Sequence, residues 1–375
     1  MYKALSVAGE GGITFGRRPE KIPVNIFPRR LASNNTSPYK FAFARTALKY
    51  GLNSIGLEQG DDLLVPEFIC ESALEPLQEL GIKPKYYPVG PTLEPEWTWV
   101  EQRISMATKA LLIVHYFGQP QQMKTCVKFC QDHSLLLIED NAHGFGGTFS
   151  GQLLGTFGDM GVSAPRKSFP IINGAYLYIY HGTNPDLSTL ILQPRASLSI
   201  KHRLKNRIKQ LPVIDYVMKH RQRVTEHRKR LGAPVPYGSQ NAFRDPPILK
   251  DFGMDESTDS FLHQENIDRV RENRQTIYYL WQQWTSRQGL MPVFPNLSPG
   301  AIPLVFPTFA ESATISRQWY ERGHRAGVDI HSWPTLPHAI VEGNNGAMRL
   351  WERLVCFPIH QEMDVQLLER RLAIL

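Results

Sequence analysis

The chain has 375 residues, enough for two domains or one large α/β unit, and its 42% hydrophobic share is ordinary for a globular protein. Its 42 lysines and arginines against 35 acids leave a net charge of +7. No apolar run approaches the roughly 18 residues that span a bilayer, and no apolar stretch follows Met1-Tyr2-Lys3-Ala4-Leu5 as a signal peptide requires. Four cysteines, Cys70, Cys126, Cys130 and Cys356, show no metal-site spacing; Cys126 and Cys130 read as two thiols on one helix face. The expectation is a reduced, cytoplasmic protein without a metal.

The charge is uneven. Residues 201–230 hold eleven lysines and arginines against two acids, Asp215 and Glu226, a net of +9 in a chain whose total is +7. The basicity is therefore local, and nothing warrants reading the whole chain as a nucleic-acid binder.

Residues 1–40 read as an irregular arm, punctuated by Pro23, Pro28 and Pro38. Its Gly-rich stretch, residues 9–16, lacks the Lys-Ser/Thr of a phosphate loop and has no strand before it. From residue 41 strands and helices alternate. Arg45 to Leu57 is helical, with Leu48, Leu52 and Ile55 on one face. Leu63-Leu64-Val65 is a buried strand ended by Pro66. Ser72 to Leu80 is helical and stops at Gly81. Lys85-Tyr86-Tyr87 is a strand, Trp97 to Ile104 a helix, and Ala110 to Tyr116 a near-continuous apolar strand. Met123 to Cys130 is helical, Leu135 to Ile138 the next strand, and Ala175 to Tyr180 a later one. Such alternation predicts an α/β fold with a mostly parallel sheet covered on both faces. Ligands of such sheets collect at the carboxyl ends of the strands, where Asp140 and His115 fall.

Residues 184–245 break the rhythm with a basic segment of helical period through Leu204, Ile208 and Leu211, then a linker at Pro234, Pro236 and Gly238. We take 41–245 as a large domain that includes this segment. Residues 246–375 form a smaller C-terminal α+β domain. There Ile267, Val270, Ile277 and Trp281 predict a long helix, and residues 301–307 and 354–358 predict strands.

Lys167 stands in a Gly/Ser/Pro-rich loop, Gly161-Val162-Ser163-Ala164-Pro165-Arg166-Lys167-Ser168, downstream of the strand that ends in Glu139-Asp140. A lysine can hold an aldehyde cofactor as a Schiff base, and a carboxylate can keep that cofactor's pyridine nitrogen protonated. This is the pairing used with pyridoxal 5'-phosphate (PLP). Read alone, Asp140 could equally cap the next turn, and Lys167 could be a solvated surface lysine.

Four stretches resemble one family. They are Ala44-Arg45-Thr46-Ala47-Leu48, Gly60-Asp61-Asp62-Leu63-Leu64-Val65-Pro66, Val114-His115-Tyr116-Phe117-Gly118-Gln119-Pro120 and Ile138-Glu139-Asp140-Asn141-Ala142-His143-Gly144. In order and spacing they are similar to motifs of the DegT/DnrJ/EryC1/StrS family, PLP-dependent sugar aminotransferases of fold type I. The resemblance covers residues 40–180 well and the C-terminal unit loosely. It implies a PLP-binding large domain with Lys167 and Asp140 as catalytic residues. His143 would lie near the cofactor's phenolic oxygen, and His115 either serves the site or only shapes the sheet edge. Arg45 and Thr46, opening a helix, would hold the phosphate, with a hydroxyl from Ser163. It also implies a homodimer that takes an amino group, from glutamate, to a keto group of a nucleotide-linked sugar, in cell-surface polysaccharide or related biosynthesis.

The chain departs from the family in four places. Ser163 lies four residues before the lysine, where five is commoner. Cys70 occupies the slot of the aromatic that stacks on the cofactor ring, with Phe68 nearby. Asn173-Gly174-Ala175-Tyr176 replaces Gly-Glu-Gly-Gly, and no Asn-x-Arg segment follows. A catalytically lapsed, PLP-binding regulatory member of the family is thus the alternative. The segment 201–230 keeps three readings: a solvated helical face, a site for a sugar nucleotide's diphosphate, or a helix lying on an anionic membrane surface.

Overall fold

The computed structural model describes residues 38–171, 173–180, 253–332, 336–343, 346–373 and 375. Most of the arm, the basic segment 201–230 and the linker at Pro234–Gly238 lie outside the described residues.

Seven strands form the main sheet: β1 (Tyr39–Phe41), β2 (Asp62–Pro66), β3 (Lys83–Tyr87), β4 (Thr108–Val114), β5 (Leu136–Asn141), β8 (Met160–Ser163) and β9 (Ala175–Ile179). Their order is β1-β9-β8-β5-β4-β2-β3. The five strands from β3 to β8 run parallel, as the alternation predicts. β9 is antiparallel to β8 and β1 antiparallel to β9, so β1 points the same way as the parallel set. The small hairpin of β6 (Thr148–Phe149) and β7 (Gln152–Leu153) lies apart.

Both faces of the sheet are covered, which is why its strands are apolar on both sides. On one face α1 (Ala44–Ser54) packs Ala47, Leu48 and Leu52 against Val65, Leu112, Ile138 and Val162. On the other, α4 (Met123–Asp132) packs Met123, Cys126 and Cys130 against Leu111, Ile113 and Leu137. The two helix thiols are therefore core groups, and burial pushes both pKa values up, Cys130 to about 12.

The helix expected from Ser72 divides into a 3-10 turn, Glu71–Ala73, and α2 (Glu75–Leu80). Pro76 is the reason: proline is tolerated only in a helix's first turn, so α2 must start just before it. Gly81 ends α2 in the left-handed region, at φ 68°. α3 (Trp97–Glu101) follows β3.

The C-terminal part builds a second, antiparallel sheet from β10 (Met291–Pro292), β11 (Val305–Phe309) and β12 (Leu354–Pro358). α5 (Glu256–Leu262), the long α6 (Ile267–Thr285), α7 (Ala313–Ala326), α8 (His338–Gly343), α9 (Gly346–Arg353) and α10 (Val365–Leu372) accompany it. Trp281, Trp319, Phe306 and Phe357 form its core, and Trp281 Nε1 donates to the Pro358 carbonyl at 2.8 Å. The strand expected over 301–307 begins only at Val305, because the segment before it turns against the main sheet's edge. There the Leu304 amide donates to the Phe117 carbonyl at 2.8 Å. Among the described residues no helix is long and apolar enough to cross a membrane.

Candidate active site

Topology brings the chemistry together. β2, β4, β5 and β8 share one direction, so Phe68, His115, Asp140 and the Lys167 loop follow or finish strands at the same carboxyl edge. β1 has that sense too, and α1 begins three residues after it, so the N-terminus of α1 opens at this edge as well.

Asp140 is the penultimate residue of β5, in register with Val114 and Val162. It shares the α1 face of the sheet with Ile138. Its Oδ1 accepts the Ala142 amide at 2.9 Å, the turn-capping contact. That bond uses one oxygen only. Among the described residues no cation pairs with Asp140 and no donor reaches Oδ2. Tyr116 lies close: burial first, and the Asp140 charge second, raise its hydroxyl pKa well above the ordinary value.

Glu139 points to the opposite face and is fully buried. Its carboxylate accepts the amides of Gly155, Phe157 and Gly158 at 2.6–2.8 Å and meets His115 Nε2 at 3.0 Å. His115 Nδ1 accepts the Gln121 amide at 3.1 Å, so the ring donates to Glu139 from Nε2. The structure thus gives His115 a place in the fold on the face away from Asp140. Gly118, in the motif that follows, has φ 87°, and a Cβ there would stand 2.1 Å from the Ile302 carbonyl oxygen. Only glycine fits where this turn meets the C-terminal part.

His143 is buried and its ring is stacked on Phe117, 5.9 Å between centroids. Its Nδ1 accepts the Phe117 amide at 3.1 Å, which leaves the proton on Nε2. Burial, then the charge of Lys167, hold its pKa well below the ordinary value, so the ring is neutral at pH 7. The Lys167 charge thus acts on His143.

Lys167 ends the 3-10 turn Pro165–Lys167, half-buried. The residue after it is stapled from the C-terminal part. The Ser168 carbonyl accepts Arg274 Nη2 at 3.0 Å and Gln361 Nε2 at 3.1 Å. Arg274, fully buried on α6, also donates to the Pro303 carbonyl at 2.8 Å and to Gln361 Oε1 at 2.9 Å. Burial lowers its pKa to about 9, so it still carries its charge at neutral pH. The loop's far end is held likewise: the Asn173 side chain accepts the Asp255 amide at 3.1 Å, and Gly174, at φ 137°, donates to the Ala42 carbonyl at 2.9 Å.

At the start of α1 no side chain caps the helix and no acid lies in its first turn. Thr46 is buried in that turn, and among the described residues its Oγ1 has no hydrogen-bond partner. An uncapped helix start with an unsatisfied hydroxyl is an anion cradle. Arg45 is partly engaged elsewhere, its guanidinium paired with Glu75 of α2. Ser163 is not brought to this cluster. It is paired with Asn141 in register, so it lies on the Glu139 face, fully buried. There its hydroxyl meets Asn141 and the Tyr178 hydroxyl. The physical cause is the strand's two-residue period, which gives Val162 the Asp140 side. Cys70 stands half-buried just after β2, its Sγ 3.1 Å from Ser72 Oγ, and Phe68 is fully buried edge-on against Tyr116. Phe68 is therefore committed to the core.

Sequence reasoning missed Glu139 and Arg274 as parts of this construction. A second acid beside Asp140 inside an apolar strand was one signal. An arginine at the core-facing position between Val270 and Ile277 was the other.

The family model for the DegT/DnrJ/EryC1/StrS aminotransferase family matches residues 40–169. The GDP-perosamine synthase of Vibrio cholerae is 32% identical over 115 residues, covering 30% of this chain and 31% of that protein. The dTDP-4-dehydro-2,3,6-trideoxy-D-glucose 4-aminotransferase of Saccharopolyspora spinosa is 35% identical over 115 residues, 30% of each chain. The match thus spans about a third of the length of these curated relatives. Among solved structures, the E. coli GDP-4-keto-6-deoxy-D-mannose-3-dehydratase with bound hydrated PLP superposes with a TM-score of 0.65 at 18% identity, over 91% of this chain and 87% of that one. This likeness shows the fold, the type I α/β architecture that the resemblance implied. Residues 40–169, which carry Asp140, His143 and Lys167, are the part of this chain that is similar to the DegT/DnrJ/EryC1/StrS aminotransferase family.

Proposed function

We propose that the protein is a PLP-dependent aminotransferase that moves an amino group, with glutamate as donor, onto a keto group of a nucleotide-linked sugar. The observation that carries this reading is the carboxylate of Asp140, with one oxygen open, at the same sheet edge as Lys167 and a neutral His143. The residues present fit the cofactor: the orphaned Thr46 hydroxyl and uncapped α1 suit its phosphate, and Asp140 suits its ring nitrogen. The names of the matched relatives, both acting on sugar nucleotides, support the substrate class. The same reading makes the protein a cytoplasmic homodimer serving cell-surface polysaccharide or related sugar biosynthesis.

Bound PLP supplies a ring that spreads the negative charge developing at the amino-bearing carbon. Asp140 would keep the ring nitrogen protonated, since a carboxylate stabilises the charged pyridinium. His143 would offer its Nε2–H to the phenolic oxygen. Lys167 Nζ would hold the group covalently, and as a free amine it would move one proton at the amino-bearing carbon. The Arg274 and Gln361 staple fixes the backbone from which Lys167 works.

The test uses the purified full chain. Incubation with PLP and reduction with borohydride should place the label on the peptide holding Lys167; a label on another lysine would overturn the assignment. Glutamate should then convert the cofactor to its amine form, and a panel of GDP-, dTDP- and UDP-linked keto sugars should give an amino sugar. Covalent PLP without a glutamate half-reaction would favour the regulatory alternative instead.

A further inference from the structure

Ser163 leaves the phosphate cradle without the hydroxyl that the family pattern led us to expect. Arg166, on the lysine loop, comes instead to the residue that precedes α1. The guanidinium of Arg166 lies 5.8 Å from the centre of the Phe43 ring, and Phe43 is the N-cap of α1. The N-terminus of a helix carries positive partial charge, so cations belong at the other end. Here no acid lies in the first turn of α1, Arg45 occupies that turn with its charge shared with Glu75, and Arg166 approaches from the lysine loop. In the same turn the Thr46 hydroxyl is buried and has no hydrogen-bond partner among the described residues.

We propose that Arg166, with the Thr46 hydroxyl and the first-turn amides of α1, binds the phosphate monoester of the cofactor. This rests on the PLP reading above. Arginine suits the task, because its planar donors meet phosphate oxygens in pairs. It also gives the Arg166-Lys167 pair a division of labour. One residue binds the phosphate end of the ligand while its neighbour engages the aldehyde end.

The experiment measures dissociation constants of the full chain and its variants for three probes: PLP, pyridoxal, which lacks the phosphate, and inorganic phosphate. Arg166→Gln should weaken PLP and inorganic phosphate by about tenfold or more and leave pyridoxal unchanged, as expected for one charge-assisted contact. Thr46→Val, which removes a hydroxyl at nearly constant shape, should act in the same direction by a smaller factor. Arg166→Lys should recover part of the loss. Thermal melting of each variant identifies any that fail to fold, and Thr46→Val and Arg166→Lys then carry the test. Equal PLP and phosphate binding by wild type and Arg166→Gln would overturn the proposal. So would a parallel loss of pyridoxal. A wild type that binds inorganic phosphate through Arg166 but captures no PLP would sink the cofactor reading and leave the anion site standing.

Discussion

Asp140 has two contacts to offer and the fold uses one. The Ala142 amide takes Oδ1 and holds the turn, while Oδ2 has no donor among the described residues. Asp140→Asn separates these roles. Its carbonyl oxygen can still cap the turn, so the melting temperature should stay near that of wild type. Turnover should fall by about a hundredfold or more, the equivalent of roughly 3 kcal/mol, because an amide cannot keep a pyridine nitrogen charged. Near-normal transamination by this variant would contradict the role assigned to Asp140. That Asp140 and the Lys167 loop share one sheet edge was legible in the sequence, because both follow strands of one parallel set. The side chain of Ser163 was not. Counting back from a lysine gives a residue, but which face of the sheet it takes depends on β8's pairing with β5, where Val162 rather than Ser163 falls beside Asp140.

At the level of elements, α6 does two things that its pattern showed only in part. Val270, Ile277 and Trp281 predicted the helix and its buried face. Arg274 lies on that same face, and periodicity alone does not say what a buried arginine holds. The structure shows it donating to Ser168, Pro303 and Gln361 across the boundary between the two sheets. β8 was hidden for a related reason. Four residues containing a glycine carry too little alternation, yet a Cβ at Gly161 would stand 2.2 Å from the Gly155 carbonyl oxygen, so glycine is what lets this strand pack. Arg274→Met keeps an apolar stem and removes the donors. Buried acceptors left unsatisfied should lower stability by about 2–4 kcal/mol, read from urea midpoints. Well below the melting point, capture of PLP by Lys167 should also slow. Unchanged capture in a destabilised variant would reduce Arg274 to a purely structural part.

Taken whole, the molecule holds neutral histidines where water is scarce, His143 buried and His360 half-buried. Burial, and then the Arg274 charge, bring the pKa of His360 down to about 3, and His143 is held well below 6.5 by burial and Lys167. The unfolded chain binds these protons below about pH 6.5, whereas the folded chain does not. Stability therefore rises with pH through this window and is lost as pH falls. From pH 6.5 to about 5, where carboxylates remain mostly ionised, each histidine should contribute a slope of up to about 1.4 kcal/mol per pH unit. Urea unfolding across that range should show the decline, and His360→Gln should make it shallower. An unaltered slope would mean that His360 is protonated in the folded state. The mostly parallel sheet and its C-terminal companion follow from the apolar strands that the sequence displays. The way the two parts lock together does not, since it depends on single polar contacts between distant segments.

Those contacts have a consequence for biosynthesis. The carbonyl beside Lys167 is secured by residues 106 and 193 positions further along the chain. During translation the main sheet can assemble as its strands emerge, but the staple cannot close until Gln361 has left the ribosome. The reactive amine thus gains its fixed position only after Gln361 has been made. Until then a nascent chain carries Lys167 without the support that aims it, so competence for cofactor capture would report that the segment holding Gln361 has docked.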